Sequence, residues 1–502
     1  MIFMRARYKV FILSLLLPLS LQGQTIGLLH SKEHDDGASG TASVYGGYEE
    51  GGYKPAFQAS SLWKAGASAS GTYRGYNTSY TGSFSFEQFE GKEMFTSMFL
   101  EPGYFPVDVV ELTPGDKTRQ TYKLSGGFAT DLDRFFPDAY LEDFVILGAK
   151  ADYSSSNYAK RKDIRHTTYG MSLRVEPTVA LHPDETIYLS LAYIFQKRTE
   201  SIDAEQVGAA TDQSYYAFLD KGMRYGTYQV WDGDGIHLDE AGVGVFPVRE
   251  HANGFSFILD IPEIACGMEM LWKHGTVGEK GYDWFRYPGH VFSVYMEKKW
   301  GEQSLRVDIK AEEDQLEEAV LDKVSDGGVT TPQIYGYNAV SDRSWGSLDL
   351  TYAVRFPQMS LKRLQTVLHY GYWKEKSYLM YPYTDETTRQ NASATLISAF
   401  AFGRFGLGLR VNGVIGGWKE QGLQGGTDEV LTKPFRLQGD WDRKMEYFST
   451  PKLGAGLTLT YHMKSVKGMT VQAEGTWLHG FNIVLLPGAD RWSSTLKLGY
   501  DF

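Results

Sequence analysis

Apolar and polar residues alternate over two neighbouring stretches of the chain. Between Met171 and Val179 apolar residues take every odd position, and Ser, Arg, Glu and Thr take the positions between them. Large apolar residues again take the odd positions from Ile187 to Phe195, after the turn-forming residues His182-Pro183-Asp184. Side chains of a β-strand point alternately to opposite faces, so each stretch predicts a strand with one apolar face. The short turn predicts that the two strands form a hairpin.

The two-residue period recurs along most of the chain. Further examples are residues 145–153, 305–312, 348–356, 405–411, 453–461, 469–477 and 496–502. In 305–312 all four residues of the polar face are charged, which is incompatible with a packed core. Such strands are typical of a membrane barrel, in which the apolar face contacts lipid and the polar face lines the lumen.

Short and long connections alternate between these strands. Residues 300–302, 356–362, 403–404 and 464–467 predict tight turns, whereas 200–250, 313–343 and 417–450 predict long loops. This asymmetry is typical of periplasmic turns and extracellular loops. We therefore predict an all-β, transmembrane antiparallel up-and-down β-barrel of about 16 strands. Fourteen is the alternative count, because the segments around Met94 and Phe255 are weakly patterned. The acidic stretch Glu312 to Glu318 is expected to end its strand and form a short helix.

The amino terminus predicts a signal peptide, residues 1–23. Arg5, Arg7 and Lys9 precede an apolar run from Val10 to Leu21, which is shorter than the ~20 residues of a spanning helix. Residues 24–79, rich in glycine and serine, are expected to form a flexible segment in the periplasm or the lumen. Residues 80–502 are assigned to the outer-membrane barrel.

Composition agrees with a barrel and excludes other classes. The 55 glycines, 33 tyrosines and 14% aromatic residues suit tight turns and interfacial aromatic belts. The single cysteine, Cys266, excludes a disulfide-stapled secreted domain. Loss of residues 1–23 removes three cations and no acid, so the net charge moves from −11 to −14. This acidic balance argues against nucleic acid as a partner.

Charged residues on the inward register are balanced in sign. Our lumen-lining candidates are Lys150, Asp152, Arg174, Glu176, Arg306, Asp308, Lys310, Asp349, Arg355, Arg410, Glu474 and Lys497, and the same register also holds Glu297, Lys299, Glu312 and Asp501. A lumen lined by one sign would select ions, whereas a balanced one forms cross-strand ion pairs that hold the wall together. The balance fits a channel for a neutral solute and equally a plugged barrel.

The longest predicted loop carries aromatic binding candidates. Tyr225, Tyr228 and Trp231 could stack on a sugar or a protein partner, or pack loop against loop over the barrel mouth. The acidic turn that starts at Asp232 lacks calcium-loop spacing, because Ile236 and His237 occupy two of the required positions. We expect no metal site and no cofactor.

The sequence contains no catalytic motif. A nucleophile elbow, a zinc-binding HExxH and a phosphate loop are all missing from the sequence. His462 and His479, on late strands, are expected to make girdle or lumen hydrogen bonds. We expect no enzymatic activity.

The chain ends on Tyr500-Asp501-Phe502, with Leu496 and Leu498 on the same face of the last strand. With the alternation and the loop asymmetry, this ending resembles the outer-membrane β-barrels of Bacteroidota, and more narrowly an uncharacterised barrel family of that phylum. The resemblance implies an outer-membrane location, contact with lipid, and a terminal strand recognised by the barrel-insertion machinery.

Two alternative functions stay open, and the resemblance implies the first of them. The first is a channel or accessory in the uptake of a small nutrient, working beside a TonB-dependent transporter or a surface lipoprotein. The second is a non-conducting surface barrel that binds a partner protein or glycan through its aromatic extracellular loops.

Overall fold

The structure is a computed structural model. It describes residues 37–75, 78–132, 144–161, 164–184, 186–206, 215–232, 235–236, 245–279, 282–326, 329–380, 383–425 and 435–502. The predicted signal peptide lies outside the described residues.

The described chain contains 21 strands and one helix of 12 residues. In chain order these are β1 Gly37–Gly51, β2 Ser61–Gly75, β3 Thr78–Ser97, β4 Asp108–Asp131, β5 Val145–Lys160, β6 Ile164–Asp184, β7 Ile187–Gln206, β8 Tyr215–Asp220, β9 Gly226–Asp232, β10 Gly235–Ile236, β11 Val245–Ile261, β12 Ile264–Glu279, β13 Tyr282–Trp300, β14 Gln303–Asp326, β15 Val329–Arg355, β16 Leu361–Met380, β17 Tyr383–Phe402, β18 Phe405–Glu420, α1 Gln438–Ser449, β19 Lys452–His462, β20 Met469–Gly480 and β21 Asp490–Asp501.

Eighteen of the strands form a closed antiparallel barrel. Each wall strand pairs with its neighbours in the chain, β7 pairs with β11, and β1 pairs with β21, which closes the wall. Strands β8, β9 and β10 lie between β7 and β11 in sequence and outside the wall order. The predicted barrel is confirmed, including the hairpin of β6 and β7, and the predicted count of 16 was low by two.

The two additional strands come from the predicted amino-terminal segment. Strands β1 and β2 pair along their whole length, and the predicted start of the barrel at residue 80 is therefore wrong. The outward positions of these strands hold small residues such as Gly46, Ala65 and Ala67. Small residues give no strong hydrophobic alternation, so the pairing of the backbones defines these strands.

The outer face of the wall is apolar. Each of the following residues is at least 37% exposed, and together they come from fifteen wall strands: Trp63, Tyr80, Phe84, Leu124, Tyr153, Leu191, Phe255, Met268, Phe292, Ile309, Leu348, Leu368, Leu396, Leu409, Leu457 and Leu496. A closed barrel satisfies its backbone hydrogen bonds within the wall, so this belt can contact hydrocarbon. None of the helical residues that the structure describes forms a helix long and apolar enough to span a membrane.

The two ends of the barrel differ. The end at which Phe502 lies, here the carboxy-terminal end, has short connections such as 262–263, 301–302 and 403–404. The two longest connections, 207–244 and 421–451, lie at the opposite end, here the mouth end. The predicted loop 313–343 is wrong, because β14 and β15 extend through it, and the acidic stretch Glu312–Glu318 is strand and not helix. Strands extending past the apolar belt need no apolar face, which explains their polar sequence.

Candidate functional site: a lumen crossed by its own chain

Most of the lumen-lining candidates lie in ion pairs along the wall. The Arg174 guanidinium is buried between Glu176, on its own strand, and Glu269 of β12, with Nη2 2.8 Å from Glu269 Oε2. Lys150 Nζ lies 2.6 Å from Asp152 Oδ2. These contacts neutralise the charges within the wall.

Strands β14 to β16 repeat this arrangement. The closest contacts are Arg306 Nη2 to Asp308 Oδ1 at 2.7 Å, Lys310 Nζ to Glu312 Oε2 at 3.1 Å, and His369 Nδ1 to Asp349 Oδ1 at 2.9 Å. Arg355 is exposed at the end of β15, and Lys497 is partly buried on β21. Arg410 and Glu474 line a cavity and are described with it below.

A segment without regular secondary structure, residues 98–107 between β3 and β4, crosses the lumen at the mouth end; we name it the plug segment. Arg343 of β15 donates hydrogen bonds from Nη1 and Nη2 to the carbonyl oxygens of Gly103, Tyr104 and Phe105, at 2.9–3.0 Å. The same guanidinium donates to both carboxylate oxygens of Asp314, at 2.8 and 2.7 Å. Because β15 lies far from β3 and β4 around the wall, the segment must span the interior.

Other wall strands hold the plug segment from the opposite side. Thr168 Oγ1 of β6 donates to the Met98 carbonyl at 2.6 Å, and the Leu100 amide donates to Glu200 Oε2 of β7 at 3.1 Å. Arg198 of β7 bridges Glu200 and Glu101. The plug segment is therefore fixed by side chains from several directions.

Tyr104 is the centre of this contact. The Arg198 guanidinium lies 3.7 Å from the Tyr104 ring centroid, and the Tyr104 hydroxyl donates to Glu250 Oε1 of β11 at 2.7 Å. Burial, with the Glu250 carboxylate beside it, raises the pKa of Tyr104 well above its usual range. The phenol therefore stays protonated and keeps donating to Glu250.

Apolar side chains of the plug segment form the largest buried cluster of the described residues. Phe99 and Phe105 are 1% and 2% exposed, with ring centroids 5.1 Å apart. Wall residues such as Phe246 and Tyr287 pack against them. A core of this kind excludes water from the mouth end of the lumen.

A buried cluster of charges ties the base of the plug segment to the wall. The carboxylate of Glu111, on β4, contacts Lys117, Lys160 and His166, and all four side chains are fully buried. Lys160 Nζ also donates to the Thr113 carbonyl at 2.5 Å. The two lysines on one carboxylate fix β4 and β5 in one arrangement, since a buried charge must keep its partners, and His166 brings β6 into the same cluster.

The turn between β8 and β9 is held by Arg224. Its guanidinium contacts Asp108 of β4 at 3.0 Å, Asp220 at 2.7 Å and Asp440 of α1 at 2.6 Å. Although burial disfavours the charged form, the carboxylates of Asp440, Asp220 and Asp108 raise the pKa of Arg224 well above its usual range. One side chain thus joins the plug base, the β8–β9 hairpin and α1.

Helix α1 completes the filling of the mouth end. Its Trp441 and Met445 are fully buried and pack with Met223 and Tyr225 of the β8–β9 turn. Burial, with Arg224 nearby, lowers the pKa of Lys444 on the same helix. The described parts of the two longest connections therefore pack on each other at the mouth.

The three loop binding candidates have different environments. Tyr225 is 6% exposed, and its hydroxyl donates to Asp385 Oδ2 at 2.9 Å, so it packs the mouth. Tyr228 is 46% exposed and lies 5.2 Å from the Phe435 ring, itself 50% exposed. The backbone of Trp231 pairs with Tyr215, and its side chain lies outside the described residues.

Sequence reasoning missed Arg343, Arg198 and Arg224, because it assigned two of them to loops and one to a strand end. A signal was present in the plug segment, where Met98, Phe99, Phe105 and Val107 are apolar without a two-residue period. A connection between two strands that holds several apolar residues without a two-residue period is expected to be buried.

Toward the carboxy-terminal end, small polar side chains line the lumen on β1, β2 and β17 to β20, whereas Ala129, Ile146, Ala180, Tyr188 and Ile258 form a buried apolar cluster on the other side. Hydroxyl pairs join β1 and β2, with Ser43 Oγ 2.8 Å from Ser68 Oγ and Thr41 Oγ1 3.0 Å from Ser70 Oγ. A cavity of about 260 Å³ lies against β17 to β20. In the part of the chain that the structure describes, no group of three or more His, Cys, Asp or Glu side chains could hold a metal ion.

A closed barrel of 18 strands with an apolar outer belt and a charged, polar interior defines an outer-membrane β-barrel protein. Within this class, residues 28–502 match a family of unknown function, DUF6850, and the chain belongs to that family. A search of curated proteins found no match.

Solved structures that are similar to this chain include two receptors and an iron transporter. The ferric enterobactin receptor of Pseudomonas aeruginosa matches at 10% identity and a TM-score of 0.43, with 94% of this chain and 82% of that chain covered. The FrpB iron transporter of Neisseria meningitidis matches at 9% and 0.38, with 95% and 83% covered. The ferric preacinetobactin receptor of Acinetobacter baumannii matches at 7% and 0.40, with 93% and 80% covered. At these values no ligand or activity is carried over to this chain.

Proposed function

We propose that the protein is a gated outer-membrane channel for the uptake of a small nutrient, closed in its resting state. The observation that carries the proposal is the plug segment, which Arg343 holds across the lumen by three backbone carbonyls. Barrels of 16–18 strands are wide enough to leave an aqueous channel. The width of the wall therefore allows a pore, and the chain's own segment blocks it.

The two ends of the lumen support gating over permanent closure. The plug segment belongs to no wall strand, and beyond the Met98 amide, which donates to the Val109 carbonyl of β4 at 2.9 Å, it can move without breaking the backbone hydrogen bonds of the wall. Beyond it, the hydroxyl-lined wall and the cavity at β17 to β20 leave space for a small polar solute. Displacement of one segment would join this space to the mouth.

A non-conducting surface barrel is the second candidate. The exposed pair of Tyr228 and Phe435 at the mouth favours it, because exposed aromatic rings suit a protein or glycan partner. For either function we propose a TonB-dependent transporter or a surface lipoprotein as partner, in a bacterium of the Bacteroidota. We propose no catalytic step. His369 and His479 each contact an aspartate, and the hydrogen bonds of the described residues include none from a serine hydroxyl to either ring.

Conductance in planar lipid bilayers tests the proposal. We expect the wild-type barrel to show no stable open current. Arg343→Ala removes the bonds to the plug segment and leaves Asp314 with Lys273, 3.6 Å away, as its remaining cation, so we expect open events with a steady current. Arg306→Ala is the matched control, because Arg306 pairs with Asp308 on the wall and makes no described contact with the plug segment.

A stable current through the wild-type protein would contradict a closed resting state. Arg343→Ala could also carry no current while the amides of its plug segment exchange hydrogen faster than in the wild type. That result would show that the segment moves without opening a route through the lumen, and it would contradict the gated channel. Unboiled samples that migrate as folded barrels on denaturing gels show that each variant is assembled.

A further inference from the structure

The cavity at β17 to β20 has a lining that points to a ligand. Its volume is about 260 Å³, and its polar lining comes from the inward register of β18, β19 and β20. The side chains that matter below are Asn412, Thr458, Gln472, Glu474 and Thr476. The space is several times the ~30 Å³ that one water molecule occupies in the liquid.

Glycines keep this space open. Gly408 is paired with Thr458, and Gly454 is paired with Asn412, so each polar side chain faces a position without a side chain. A Cβ on Gly456 would lie 3.6 Å from Arg410 Cβ and 3.7 Å from Thr476 Cγ2, within ordinary contact distance. A side chain could therefore be accommodated at Gly456, and its absence leaves the volume free.

The polar groups of the cavity offer acceptors that need donors. Asn412 is 5% exposed; its Nδ2 donates to Thr395 Oγ1 at 2.5 Å, whereas its Oδ1 has no hydrogen-bond partner among the described residues. Among the described residues Glu474 also has no ion-pair partner. A buried acceptor without a donor is costly, so a ligand that brings hydroxyl groups satisfies it.

We propose that this cavity binds a small neutral polyol of monosaccharide size. The Asn412 amide oxygen and the Glu474 carboxylate accept from ligand hydroxyls, and Thr458 and Gln472 both donate and accept. The volume lies just below the roughly 300–1,000 Å³ of drug-sized ligand sites, which fits a small solute. This inference rests on the proposed uptake function and names its substrate class.

Saturation-transfer NMR on the full-length barrel in detergent tests the site, with D-glucose as the probe. We expect transfer from the wild-type protein to D-glucose and none to glycine betaine, a smaller zwitterion without hydrogen-bond donors. Gly456→Val places a branched side chain in the cavity, between Arg410 and Thr476, and should abolish the transfer. Thr458→Val removes one hydroxyl at constant shape and should weaken binding about fivefold, the effect of one hydrogen bond. Thr351→Val on β15, away from the cavity, is the matched control.

Several results would overturn the site. The first is no transfer to D-glucose from the wild-type barrel. The second is transfer from Gly456→Val equal to that from the wild type. The third is stronger transfer to glycine betaine than to D-glucose. Folded migration on unboiled gels excludes a misassembled variant. The binding site and the gated channel can fail separately. If D-glucose binds but Arg343→Ala carries no current, the gated channel is contradicted and the site is kept. If Arg343→Ala conducts but D-glucose shows no transfer, the site is contradicted and the gated channel is kept.

Discussion

The two ends of the lumen are built from different chemistry. At the mouth end, large apolar side chains and buried charges such as Glu111, Arg224 and Arg343 fill the interior. Toward the carboxy-terminal end, serines, threonines and glycines of β1, β2 and β17 to β20 leave space, and a smaller buried apolar cluster that includes Tyr188 and Ile258 lies across the lumen from them. Buried charges hold their partners in one arrangement, because losing a partner is costly, whereas water can replace a hydroxyl pair. The filled end is therefore specified in detail, and the open end is tolerant.

The largest loss of stability is predicted for a substitution of Arg224 at the filled end. Arg224→Ala leaves three carboxylates without their cation, and breaking a buried pair typically costs about 3–5 kcal/mol. We expect the free energy of unfolding in detergent to fall by that amount, measured by tryptophan fluorescence in urea. Arg286→Ala is the control, because Arg286 is 41% exposed in its pair with Glu317 and should cost no more than about 1 kcal/mol. Equal losses of unfolding free energy in Arg224→Ala and Arg286→Ala would contradict the contrast between buried and exposed ion pairs.

A smaller effect is expected where α1 holds the β20–β21 connection. The Glu446 carboxylate accepts hydrogen bonds from the amides of Val484, Leu485 and Leu486, at 2.7–2.9 Å. Glu446→Gln should weaken these bonds by about 1–3 kcal/mol in total and speed hydrogen exchange at the three amides.

The control for that helix is Asp442→Asn. Asp442 accepts from Gln438 within α1 at 2.8 Å and should leave exchange at 484–486 unchanged. Protection of the three amides that survives Glu446→Gln would show that the connection is fixed by its apolar packing.

The smallest effect is predicted at the open end. Ser43→Ala removes a partly buried hydroxyl pair with Ser68 and should change the free energy of unfolding by less than about 1 kcal/mol. Adding Ser68→Ala should cost nothing further if water already replaces the lost partner. A loss as large as that of Arg224→Ala would end the distinction between the two ends of the lumen.

The sequence alone predicted the wall where both faces of a strand carry clear signals. The outward register of β7 is confirmed, with Leu191 and Tyr193 exposed at 56% and 41%, and so is the register of β21. The inward positions of Arg174 and Glu176 are buried, as expected for a polar face turned to the interior.

The filled end could not be predicted from periodicity. The plug segment, the β8–β9 hairpin and α1 are joined by contacts between residues more than a hundred positions apart, such as Arg343 to Phe105 and Arg224 to Asp440. Local alternation carries no information about such pairs. Strands β1 and β2 were wrongly predicted to be a flexible segment. Their small side chains give no alternation, and the pairing of their backbones with neighbouring strands defines them.

The contact between the two ends of the wall has a consequence for the order of assembly. Gly40 and Phe502 exchange both backbone hydrogen bonds at 2.9 Å, and a Cβ on Gly40 would lie 2.5 Å from the Phe502 ring. One edge of β1 therefore stays unpaired until β21 is in place and closes the wall. Glycine-rich segments are poor templates for cross-β stacking, so the composition of β1 protects that edge in the unclosed barrel.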